Sequence, residues 1–94
     1  MAPTLHSLVI RERKDAADIL QNIFHIHGYL RKLVLDGCWL GEDSTDLLEK
    51  IVDLYSDLEV LSLAHCHPLK SAGYCHIQRL KKLSVLKLSY SEVY

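Results

Sequence analysis

Along residues 30–40, LRKLVLDGCWL, the apolar positions Leu30, Leu33, Leu35, Cys38 and Leu40 fall three, two, three and two residues apart. The spacing returns at Leu58, Leu61, Leu63 and Cys66 in LEVLSLAHC, and opens again at Leu83 in LSVLKLSYSEV. A weaker copy, LHSLVI, starts at Leu5, so successive copies begin 25, 28 and 25 residues apart. Leucines two apart, such as Leu33 and Leu35, share one face of a β-strand. The segments between the copies instead carry apolar residues at helical spacing. Alternating strand and helix at a fixed period predicts stacked units, each burying its apolar face against the next.

The first helix is predicted over residues 14–27, with Ala16, Ile19, Leu20, Ile23 and Phe24 as its stripe and Gly28 as its stop. Asp15 and Asp18 lie in its first turn, where the helix dipole favours negative charge. Glu42, Asp43 and Ser44 are capping candidates for a second helix, whose stripe is Leu47, Leu48, Ile51, Leu54 and Tyr55. Pro68 closes a loop before a third helix over residues 71–81, which buries Ala72, Cys75, Ile77 or the Arg79 stem, and Leu80; Gly73 weakens it. In the first unit Arg13 replaces the cysteine and Asp15 the following leucine, as suits a terminal unit. The last unit keeps Ser91 and Val93 at the pattern positions and reads as cut off within a repeat. Residues 1–94 are therefore expected to form one domain, a segment of a longer protein or a small protein whose last strand meets a partner.

Composition narrows the picture. With 18 leucines and only seven aromatics, the core must be built of aliphatic layers. A formal charge of −1 supplies no basic excess for nucleic acid. No apolar run approaches the length of a membrane span, and the first residues lack the regions of a signal peptide. Three cysteines cannot all pair within one chain, and Cys38 and Cys66 occupy a repeated position. Reduced thiols, hence a cytoplasmic or nuclear protein, are expected.

Over residues 5–93, about three and a half units, LRKLVLDGCWL and LEVLSLAHC resemble leucine-rich repeats. The cysteine at the ninth position is similar to the cysteine-containing repeats of F-box proteins and to ribonuclease-inhibitor-like repeats. The resemblance implies an α/β fold, a right-handed solenoid with parallel strands on its concave face and helices on its convex face. In such repeats the cysteine points inward and bonds the loop backbone of a neighbouring turn, which suits a thiol acting as a small hydrophobe with a weak donor.

Chemistry-bearing clusters are few. His65, Cys66 and His67 with Cys75 and His76 supply enough zinc ligands, but the spacing matches no established zinc pattern and the repeat commits Cys66 to the core. His25 and His27 lie 200° apart on a helix and cannot share a metal. No nucleophile elbow or glycine-rich phosphate loop is present. Neither an enzyme nor a cofactor is expected.

What remains is surface. The residues between and beside the strand leucines are predicted to be exposed on the concave side. They are Ser7, Val9 and Arg11, then Lys32, Val34 and Asp36, then Val60, Ser62 and Ala64, and last Val85, Lys87 and Ser89. An apolar centre of Val34, Val60, Ala64 and Val85 edged by Arg11, Lys32, Asp36 and Lys87 has the composition of a protein interface. Trp39, between the inward Cys38 and Leu40, is expected outside, where tryptophans serve as binding hot spots. Tyr90 and Tyr94 are expected to cover the open core. The reading is a non-enzymatic protein-binding module with a protein partner, no nucleic acid and no membrane, and with self-association possible through the C-terminal strand. Its alternatives are the substrate-recognition segment of an F-box-like ubiquitin ligase or a purely structural part of a larger repeat protein.

Overall fold

A computed structural model describes residues 6–24 and 30–88. Strands and helices alternate as the two periodicities predict: β1 Ser7–Val9, α1 Ala16–Ile23, β2 Lys32–Val34, α2 Ser44–Leu54, β3 Val60–Ser62, α3 Ser71–Ile77 and β4 Val85–Lys87. The strands form one parallel sheet in the order β1-β2-β3-β4, so the fold is α/β with each helix in a crossover. Pairing sets Leu8, Leu33, Leu61 and Leu86 side by side, one from each strand. The ladder runs beyond the three-residue strands. Ile10 donates to the Val34 carbonyl at 2.8 Å, Leu35 to Ser62 at 2.9 Å and Leu63 to Lys87 at 2.8 Å.

Leu33, Leu35, Leu61 and Leu63 are fully buried in one cluster with Leu20, Leu48, Ile51 and Ile77. The helices therefore cover the leucine side of the sheet, and each such side chain contributes about 1.5–3 kcal/mol of apolar burial. At the ends of the first two helices the Phe24 and Tyr55 rings meet at 6.1 Å between centroids, tilted by 45°.

The helices depart from the predicted stripes in informative ways. In α2, Leu54 is exposed and Val52 is buried in its place. Asp43 stands at the cap position of α2 without a side-chain cap bond. In α3 the buried face is Gly73 and Ile77, continued by Leu80, while Ala72 and Cys75 are exposed. Gly73 sets this face because a Cβ there would come within 2.7 Å of the fully buried Leu48 Cδ1; the missing side chain lets α3 close on α2. The glycine that weakened the helix prediction is its packing contact. The helix also ends at Ile77, and Gln78 and Arg79 form a turn.

The expected end of α1 over residues 25–27 and its stop at Gly28 lie outside the described residues, as do Leu5, Ser89, Tyr90, Ser91, Val93 and Tyr94. Among the described residues no helix is long and apolar enough to cross a membrane.

Candidate binding surface

The side of the sheet away from the helices carries three rows of side chains set by strand register. Ser7, Lys32, Val60 and Val85 form the first, and Val9, Val34, Ser62 and Lys87 the second. Arg11, Asp36 and Ala64 continue the alternation at the strand ends. Exposure is uneven. Val9 is 48% and Val85 38% exposed, Arg11, Lys32 and Lys87 are exposed, and Val60, Asp36 and Ala64 are half-buried.

Two of the residues expected to be exposed are not. Val34 and Ser62 keep only 5% and 3% of their surface. Both lie mid-row on inner strands, where short side chains are closed over by in-register neighbours about 5 Å away on either side. Ser62 is held further: its hydroxyl donates to Asp36 Oδ1 at 2.5 Å, and the Ala64 N–H donates to the same oxygen at 3.2 Å. Asp36, expected as a charge at the rim of an interface, instead ties β2 to β3.

β1, β2 and β3 each pass into a turn through a residue of positive φ. Glu12 at 54°, Gly37 at 72° and His65 at 58° fall at the repeat spacing. Gly37 is demanded twice, since a Cβ there would also lie 3.1 Å from Glu12 Cγ. Next in chain come the cysteines. Cys38 Sγ donates to the Ile10 carbonyl at 3.4 Å and Cys66 Sγ to Leu35 at 2.7 Å, equivalent carbonyls at the ends of successive strands. A thiol is small enough for this buried position and still supplies a donor. Burial pushes the Cys38 thiol up and the Cys66 thiol up to about 12, so at neutral pH both stay protonated. Cys75 is exposed on α3, whereas Cys66 is buried. Among the described residues no three His, Cys, Asp or Glu side chains are placed to hold a metal ion.

Beyond the turns two clefts share Glu12 and Gly37 as a common wall. One, of about 460 Å³, is lined by Arg11, Glu12, Asp36, Gly37 and His65. The other, of about 450 Å³, is lined by Glu12, Arg13, Lys14, Gly37, Trp39 and His67. Trp39 is 40% exposed there, and its parallel bridge with His67 fixes the two side by side. Arg13 points its guanidinium at Asp15 through two bonds of 2.8 Å, which hold the Asp15 carboxyl below its ordinary value and raise the Arg13 guanidinium.

The structure thus brings Arg11 and Asp36 to one cleft and places Lys32, Val60, Val85 and Lys87 across the open face. Trp39 stands apart, in the second cleft beside Lys14 and His67. Lys14 was not singled out from the sequence, and His67 only as a member of the His–Cys group, not as a neighbour of Trp39. The signal was there: Lys14 precedes Trp39 by 25 residues and His67 follows it by 28, so the three hold one repeat position. No family model, curated protein or solved structure matches the chain.

Proposed function

We propose that this chain is a segment of leucine-rich repeats, stacked as a right-handed solenoid, and that it acts as a non-enzymatic protein-binding module. The repeat reading is supported by the coincidence of sequence period and strand register, and by cysteines that bond equivalent carbonyls one unit back. The binding reading rests on one observation: the sheet face left open by the helices exposes Val9 and Val85 beside Arg11, Lys32 and Lys87. Its centre is already closed by Asp36 and Ser62, so the face meets a partner preformed and little ordering entropy is lost on binding. The buried, protonated thiols support a reducing setting, the cytoplasm or nucleus.

The fully buried Leu33 and Leu61 rows belong to the core, and Val34 is too buried for a test. Val9→Glu and Val85→Glu serve instead. Peptides selected by display against the folded chain lose binding to both variants, with circular dichroism and melting temperature unchanged. Undiminished binding to both would remove the open face as the site.

A further inference from the structure

Among the described residues, four cations off the open face have carboxylate partners, and Lys50, Lys70 and Lys81 have none. Arg79 pairs with Asp53, Lys82 with Asp57 at 3.1 Å and Arg31 with Glu59 at 3.9 Å, while Lys50 donates to Gln21 at 3.4 Å. Arg13 is taken up by Asp15. On the open face and its cleft mouths the position is different. Arg11, Lys14, Lys32 and Lys87 are exposed, and none has a carboxylate partner among the described residues. The carboxylate that shares their face, Asp36, is turned onto Ser62 and the Ala64 amide. Glu12, on the wall between the clefts, is the other acid at this end. The open face and its cleft mouths thus gather four exposed cations without a carboxylate partner on the side that also exposes Val9, Val85 and Trp39.

Resting on the binding-module reading, we propose that the partner of this face is an acidic, apolar protein segment. Its carboxylates meet Arg11, Lys32 and Lys87, and its aliphatic side chains cover Val9, Val60 and Val85. Cations interspersed with exposed valines steer and select a partner of opposite sign, and the valines hold its apolar side chains. Nucleic acid fits less well. The cations are separated by valines instead of tracking a phosphate chain, and among the described residues the sheet face carries no aromatic side chain on which a base could stack.

The test uses the full chain and fluorescence anisotropy with labelled synthetic peptides of equal length: alternating Asp/Leu, Gln/Leu, Lys/Leu and Asp/Ser, together with a single-stranded oligonucleotide. The Asp/Leu peptide binds at least about tenfold more tightly than each of the others, and its affinity falls as salt is raised. Lys32→Glu with Lys87→Glu weakens it by about a hundredfold, tenfold for each reversed contact, and moves the preference to the Lys/Leu peptide. Both lysines are exposed, so the circular-dichroism spectrum is unchanged; Lys32→Gln with Lys87→Gln gives the intermediate loss. Equal binding of Gln/Leu removes the charge requirement, and equal binding of Asp/Ser or the oligonucleotide reduces the face to a general polyanion surface. Either overturns the proposal, as does failure of Asp/Leu to bind. If Gln/Leu or Lys/Leu binds in its place and Val9→Glu abolishes that binding, the module reading survives and the acidic partner does not.

Discussion

The two inner strands and the two outer ones carry a leucine at the same register, yet these side chains live in different surroundings. Leu33 and Leu61 are fully buried, whereas Leu8 and Leu86, aligned with them, are half-buried. The open side repeats the contrast. Val34 and Ser62 are sealed in mid-row, while Val9 and Lys87 at the two ends of the same row stand exposed. A strand's share of the core depends on having neighbours on both sides, so equal sequence positions are unequal in energy. The interior of the sheet holds the fold together, and its margins stay open to solvent.

The largest expected effect tests this directly. Leu61→Ala destabilises by about 2–5 kcal/mol, because a fully buried leucine leaves a cavity, and Leu86→Ala by less than half as much. Urea unfolding with unchanged m-values measures both. Equal losses would break the contrast between centre and margin.

Next in size is the polar tie between the inner strands. Asp36→Ala leaves the Ser62 hydroxyl and the Ala64 amide without their acceptor and is expected to cost about 1–3 kcal/mol. Arg11→Ala, one strand outward on the same row, stays within about 0.5 kcal/mol. If Asp36→Ala proves as mild as Arg11→Ala, the carboxylate belongs to the recognition surface after all.

One inner position runs the other way. Ser44, first residue of α2, is completely buried, and its hydroxyl has no hydrogen-bond partner among the described residues. Ser44→Ala removes that unmet group and adds helix propensity, raising stability by about 1 kcal/mol. A fall in melting temperature would mean that the hydroxyl does have a partner.

The finest distinction is between thiols. Cys75 reacts with a thiol reagent in the native protein, and Cys38 and Cys66 react only on unfolding. Burial raises both inner thiols above the ordinary 9.0, so the folded state keeps their protons longer than the unfolded state does. The stability they contribute is complete below that pH and is lost as pH rises toward about 12. Tyr55, raised by burial too, acts in the same direction. Stability measured against alkaline pH should therefore fall through this window, less steeply in Cys66→Ala. A curve unaltered by that change would place Cys66 in contact with water.

Strands, helices, their alternation and the inward set of strand leucines could be read from the sequence alone, because each follows from a local period: two for strands, 3.6 for helices, and 25 to 28 for the unit. Which side of the strand faces away from the core followed from the same period. How much of that side is free did not. Val34 and Ser62 are covered by residues of adjacent strands, and Asp36 is turned inward by a hydroxyl 26 residues away. The face of α3 was likewise decided at a distance, by Leu48 against Gly73. Spacing along a chain determines direction, and only neighbours distant in sequence determine exposure and the partners of a charge.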